Sequence, residues 1–236
     1  MEKIIYALWR DGAEDANVFN TRLLGDVAKA LSPHGIALRI NVADETVAGG
    51  NVPRIANIRP QMDAVVQIWV HCSHDPYRAP IDEIIAGAAP HYAAWLVCES
   101  TPLPNTRHVP AAGQRTEGFS QMAFIGQPPK LTHDQFMYNW RTVQTSVAIE
   151  TQSTFEYRQN LVIRPLTYGA PPFVAIVEEC FPMAAFNDEP TYYDAVNDPA
   201  KQKQNQDRMF EACAQFMDFS RIDVIQTSQF EIRPLT

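Results

Sequence analysis

The feature that most constrains this chain is a succession of hydrophobic periods that occurs twice. Lys3 to Arg10 alternates as a strand, and Asp15 then opens a segment with Phe19, Leu23, Leu24, Val27 and Leu31 at helical spacing, stopped by His34-Gly35. Ile36 to Val42 and Ala64 to His71 read as strands, Ile81 to Ala88 as a helix, and Tyr92 to Cys98 as a fourth strand. The second half runs the same way. Gly118 to Ile125 is a strand, and Thr132-His-Asp-Gln135 is a capping box that opens a helix with Phe136, Trp140, Val143 and Val147. Phe155 to Arg164 and Phe173 to Phe181 are strands, Lys201 to Phe216 is a helix, and Ser228 to Arg233 closes the unit. The order is βαββαβ in each half, so the fold class expected is α+β, built from two ferredoxin-like repeats over residues 1–112 and 113–236.

Setting Asp15 against Thr132 as helix caps aligns Phe19 with Phe136, and the second strands then share an Arg-x-Asn, Arg39-Ile-Asn41 against Arg158-Gln-Asn160. That shared triplet favours duplication over two independent folds. The third strands, set as Val65-Val-Gln-Ile68 against Phe173-Val-Ala-Ile176, place His71 opposite Glu179 and Trp69 opposite Val177.

Bulk composition excludes several function classes. The 236 residues are 46% hydrophobic and 19% charged with a net charge of −8, a globular balance without the clustered Lys and Arg that nucleic acid or an anionic membrane would require. No apolar run approaches the roughly 20 residues that span a bilayer. Four cysteines at 72, 98, 180 and 213 form no CxxC pair, and the start MEKIIYALWR is a strand rather than a leader, so reduced thiols in a cytoplasmic protein are expected.

Two segments carry a family resemblance. Leu131 to Pro165, LTHDQFMYNWRTVQTSVAIETQSTFEYRQNLVIRP, resembles the EthD domain signature of a helix with F-x-x-x-W-x-x-x-H followed by a strand with Y-x-x-N. Asp63 to Trp69 resembles that family's third strand, and residues 218–233 resemble the tail of tandem EthD-like proteins. The resemblance implies the dimeric α/β-barrel fold, with two sheets closing around a small-molecule cavity, here within one polypeptide. It implies a cofactor-independent enzyme acting by acid/base chemistry on a small aromatic or polyketide-like compound, of lyase, dehydratase or isomerase type. An oxidoreductase of the same fold, oxygenase or haem-dependent, is the first competitor, and a non-catalytic protein that sequesters a hydrophobic ligand is the second. The family's helix histidine falls on Gln144, which cannot exchange a proton near neutral pH.

The stretch DAVVQIWVHCSHDP, Asp63 to Pro76, concentrates the candidate chemistry. Alternation puts Gln67, Trp69 and His71 on one face and Val66, Ile68 and Val70 on the other, so the aliphatic face belongs against helices and the mixed face toward a cavity. His71 is then the expected base, with His74 and Asp75 outside in the turn. Tyr157, Gln144, Glu179 and Tyr92 complete the catalytic candidates, and Trp69, Gln67, Trp140, Tyr6 and His91 the substrate-binding ones. Two histidines three apart diverge on a strand, so no metal site is expected. No dinucleotide fingerprint, phosphate-cradling glycine loop or nucleophile elbow occurs, and no cofactor is expected. The partner expected is a small aromatic or hydrophobic ligand, with no nucleic acid or membrane, and a further homodimer is compatible with the sequence.

Overall fold

The computed structural model describes residues 1–235. The first half runs β1 (Glu2–Trp9), α1 (Ala16–Arg22), a π-helical segment (Leu23–Val27), α2 (Ala28–Leu31), β2 (Ala37–Val42), β3 (Ala64–Val70), α3 (Asp75–Ala88) and β4 (His91–Leu103). After a two-residue strand β5 (Gln114–Arg115) come β6 (Phe119–Gly126), α4 (His133–Tyr138), a second π-helical segment (Asn139–Gln144), α5 (Thr145–Thr151), β7 (Glu156–Pro165) and β8 (Phe173–Phe181). Helices α6 (Glu189–Tyr192) and α7 (Pro199–Phe216) and strand β9 (Ile222–Arg233) complete the described chain.

All strand pairings are antiparallel, in the order β2-β3-β1-β4-β7-β8-β6-β9, and β9 pairs back onto β2. The eight strands therefore form a closed barrel, with β5 hung on β9. Closure leaves no long free edge. Within each half the strand order is second-third-first-fourth. Helices cover the outer face of both halves, as the aliphatic side of β3 predicts: Val66, Ile68 and Val70 pack with Leu23, Leu31, Ile81 and Ile85 in one outer core. Thr132 and Gln135 form the reciprocal capping box read from sequence.

The barrel interior differs from the expectation of a central cavity. One end is filled by Ile5, Ala7, Val65, Trp95, Met122, Phe124, Phe173 and Ile176. The other holds a buried ionic network. The Glu178 carboxylate on β8 accepts from Asn41 Nδ2 at 2.8 Å, Ser120 Oγ at 3.1 Å and Gln229 Nε2 at 2.8 Å through Oε1. Through Oε2 it accepts from Arg39 at 3.1 Å and Gln67 Nε2 at 3.0 Å. Lys3 on β1 reaches Glu99 at 2.5 Å and Asn160 at 2.8 Å, with its ammonium 4.4 Å from the Trp69 ring centroid, and Arg158 pairs with Glu99 and Glu156. Both Arg-x-Asn triplets thus point into the barrel. A cavity of about 440 Å³ opens at this end, between Trp69, Arg158, Glu231 and Leu235.

The strand register corrects one sequence alignment. Arg39 pairs with Gln67, and Arg158 pairs with Glu178, so the residue of β8 that corresponds to Gln67 is Glu178. Setting Val65 against Phe173 puts β8 three residues out, and an odd slip exchanges the two faces of a strand. His71 and Glu179 are therefore not equivalent. His71 lies past the end of β3, exposed, and its ring faces solvent rather than a cavity. His74 is the N-cap residue of α3, which begins at Asp75 and accommodates Pro76 in its first turn.

Burial alone would raise the Glu178 pKa, but Arg39 and Lys3 and the amide donors outweigh it and hold the carboxyl far below its ordinary range. A depressed carboxylate contributes stability that is present above the unfolded value near 4.5 and is lost as pH falls. Glu178→Leu leaves Arg39 with Glu231 and Glu156 but removes the acceptor of Asn41, Gln67, Ser120 and Gln229, and its expected cost is about 3 kcal/mol or more at pH 7. Urea unfolding at pH 7 and at pH 4 checks this: the deficit of the variant shrinks at the lower pH.

Candidate functional site

The second half keeps a cavity that the first half fills. It lies outside the barrel, between the outer face of β6–β9 and the helices, with a volume of about 230 Å³. Tyr157, Glu179 and Gln121 line its floor in a single cross-strand row, which Gln226 continues beyond the cavity. Tyr157 on β7 pairs with Glu179 on β8, Glu179 with Gln121 on β6, and Gln121 with Gln226 on β9. On one side of this row the floor is apolar, with Ala123, Ile125, Val177, Ile222 and Val224. Met209, Cys213 and Phe216 from α7 and Gln144 from the π-helical segment form the roof. A π-helical turn widens the helix locally and rotates the residues that follow, a feature concentrated at functional sites.

Reading the same row in the first half gives Leu38 on β2, Ile68 on β3, Ile4 on β1 and Leu96 on β4. All four are aliphatic. Val27 stands in the first helix of that half where Gln144 stands in the second, by the cap alignment. Burying an aliphatic side chain contributes about 1.5–3 kcal/mol, whereas an unpaired carboxyl must be desolvated. The fold therefore does not need a glutamate at position 179.

Glu179 is buried, and among the described residues it has no cationic partner and its Oε1 no hydrogen-bond partner. Desolvation pushes its pKa up to about 7, with Gln121 acting in the opposite direction. Burial and the Glu179 charge raise the Tyr157 phenol, which stays a proton donor at any working pH. The same two causes push the Cys213 thiol up to about 12. Gln144 donates weakly to Met209 Sδ at 3.4 Å while its Oε1 is unpaired, and Gln152 Oε1 in the cavity wall is unpaired too. Such a cluster of buried unsatisfied atoms marks a place where a polar ligand group belongs.

Of the sequence candidates, the structure brings Tyr157, Gln144 and Glu179 together around this cavity. Trp140 packs fully buried with Phe136 behind it. Trp69 and Gln67 face the barrel network instead, because the mixed face of β3 turns inward to a filled interior. Tyr6 donates to Asp82 at 2.8 Å and lies 6.3 Å from Tyr92, both in the core of the first half. His91 is exposed at the start of β4. Gln121, Gln226 and Cys213 were not among the sequence candidates; the polar residue of each alternating strand that faces the helices was the available signal.

For haem, an alternative the family resemblance implies, the cavity offers neither an imidazole nor a thiolate. No histidine among the described residues lines the cavity, and Cys213 is held neutral where iron ligation requires a thiolate. No group of three or more metal-ligating side chains occurs among the described residues.

A raised carboxyl pKa has a thermodynamic signature. The unfolded chain ionises Glu179 near pH 4.5 while the folded one holds its proton to about 7, so stability falls as pH rises across that window. Relative to Glu179→Gln, the wild-type protein should lose on the order of 3 kcal/mol between pH 4 and pH 8. Chemical denaturation of both proteins over that range checks the sign.

No protein-family profile matches the chain, and no curated protein matches it. Solved structures do. An anthrone oxidase-like protein superposes with a TM-score of 0.56 at 9% identity, covering 100% of this chain and 94% of the other. A monooxygenase candidate from Fusobacterium nucleatum subsp. nucleatum superposes with a TM-score of 0.52 at 9% identity, covering 98% and 92%. At that identity the likeness establishes the fold: the chain is an α+β protein with a closed antiparallel barrel of the dimeric α/β-barrel type.

Proposed function

We propose that this chain is a base-initiated, cofactor-independent oxidoreductase of small aromatic or polyketide-like compounds, with Glu179 as the base. One observation carries the reading: a buried carboxyl without a counter-ion, titrating near 7, faces an apolar cavity at a position where the other half of the fold has Ile68. A general base works best with a pKa near the operating pH. The earlier preference for a lyase or isomerase gives way to oxidation because the similar structures are described as an anthrone oxidase-like protein and a monooxygenase candidate.

In this reading the aromatic body lies against Val177, Val224 and Phe216, and an activated C–H or phenolic O–H points at Glu179. The cavity exceeds the roughly 150 Å³ that holds benzene. It therefore takes one or two fused rings, and a longer ligand extends toward Phe210 and Phe219, the exposed aromatics at its rim. Glu179 removes the proton, and Tyr157 O–H and Gln144 N–H donate to the developing oxyanion. For a CH2 flanked by carbonyl-activated rings, the carbanion adds dioxygen. The peroxide anion takes its proton back from Glu179, and loss of water leaves a ketone. One O2 is consumed and one water released per turnover.

The same reading takes residues 1–112 and 113–236 as two ferredoxin-like repeats of the EthD type, only the second with a ligand cavity. Support comes from the shared strand order, the inward Arg-x-Asn of both second strands and the π-helical segment in both first helices.

The test begins with a thermal-shift screen of bicyclic and tricyclic phenols and ketones, followed by oxygen-electrode assays of the hits. Glu179→Gln should lower turnover by about 10²-fold or more, and Tyr157→Phe should lower it less. His71→Ala should stay within about twofold of wild type, since surface residues away from the site rarely matter by more. Turnover without oxygen uptake would reassign the protein to the lyase or isomerase class, and binding without turnover would make it a ligand carrier.

A further inference from the structure

A chain of amides leads to the floor of the cavity from a group able to accept only. The Pro53 carbonyl, in the segment that forms one wall of the cavity, accepts from Gln226 Nε2 at 2.6 Å. That contact settles which end of the Gln226 amide is nitrogen, because a carbonyl oxygen cannot face another oxygen without a proton between them. The same Gln226 Nε2 donates to Gln121 Oε1 at 3.4 Å. Gln121 is thereby fixed in turn: its oxygen faces Gln226 on the β9 side, and its NH2, which donates to Tyr192 Oη at 3.3 Å, is left for the β8 side, where Glu179 is its cross-strand neighbour. All three side chains lie on the single cross-strand row described above, and Gln121 and Gln226 are buried.

We propose that Gln226 and Gln121 are positioning residues that transmit the acceptor polarity of the Pro53 carbonyl across the sheet, so that Glu179 meets an N–H edge and never a carbonyl edge. The inference rests on the reading of Glu179 as the base. Its physical content is a choice between two amide orientations of similar shape. With the NH2 toward Glu179, the carboxylate has a donor and its ionised form is favoured. With the oxygen toward Glu179, only the protonated acid is satisfied, and the base is lost at neutral pH.

No fixed charge competes with this control. The titratable groups facing Glu179 are Tyr157 from β7, Tyr192 from α6 and Cys213 from α7, and burial together with the Glu179 charge keeps each in its neutral form. The other polar side chains lining the cavity, Gln144, Gln152, Gln206 and the Tyr193 phenol that burial raises, add no charge. The amide chain is therefore the group that adjusts the base between the value set by desolvation alone and the value near 7 that it has. The first half has no counterpart, since Ile4 and Leu96 stand in the places of Gln121 and Gln226.

The experiment reads the Glu179 carboxyl directly, without substrate, so its outcome is separate from whether Glu179 catalyses. Carbon-13 NMR of protein labelled at the glutamate carboxyl is followed against pH, with Glu179→Gln identifying the resonance. In Gln121→Met the midpoint should move up by about one pH unit or more, a tenfold change in the ionisation constant. Gln226→Met keeps Gln121 but frees its orientation, and should move the midpoint the same way by less. Far-UV circular dichroism and thermal unfolding confirm that both variants are folded. If Gln121→Met fails to fold, Gln226→Met alone decides. An unchanged or lowered midpoint in the folded variants overturns the proposal. A raised midpoint combined with full turnover in Glu179→Gln would keep the positioning and remove the catalytic role.

Discussion

The structure depends on one buried carboxylate. Glu178 gathers five donors from four other strands, two from β2 and one each from β3, β6 and β9. Those strands come from both halves of the chain, so this single group links the halves where β2 meets β9. A carboxylate in a barrel interior is costly to desolvate, and satisfying both oxygens is what makes it tolerable. The reward is specificity of register, because a slip of one residue on β8 would turn Glu178 outward and bring Glu179 into the barrel. The two adjacent glutamates thus have opposite environments: one is ionised among cations and amides, the other is unpaired among apolar side chains.

That opposition explains where chemistry can occur. Inside the barrel the charges are paired with one another and one end is packed with apolar side chains, so the interior works as a clamp. Outside, the helices of the second half stand off the sheet far enough to leave a cavity, and polar side chains cross its floor. In the first half the same row holds Leu38, Ile68, Ile4 and Leu96, and the first three pack in one core with the helices. A chain optimised for stability alone would place aliphatic side chains in both rows. The unpaired Oε1 of Glu179 and of Gln144 is the departure from that pattern on which the proposed site rests.

Much of the fold was legible in the sequence. The alternation of β1, β3 and β8, the capping box at Thr132 and the helical spacing of α7 each reflect local physics, and each reappears within a few residues. The repeated Arg-x-Asn was legible as a repeat, but its partner in the barrel was not, since nothing local links Arg39 to a glutamate 139 positions away. Tyr157, Gln144 and Glu179 were identified as candidates and do converge. His71 was favoured over them because strand alternation was extended one residue past the end of β3, where the chain already turns toward α3. Alternation is a property of extended backbone and carries no information beyond it.

By itself the sequence determined the elements: their order, their caps, and which side of each strand is apolar, because these follow from periodicity and from the chemistry of neighbouring residues. Only the tertiary structure decided which of two polar faces would look into a cavity. The inward face of β3 and the outward face of β8 both have polar residues, and each in isolation could serve a ligand. Closure of the barrel filled the first with Glu178 and its donors, while the stand-off of α7 and the π-helical segment left space over the second. Whether a buried polar side chain binds a ligand or holds the fold together depends on what fills the space in front of it, and that is set by packing between segments distant in the chain.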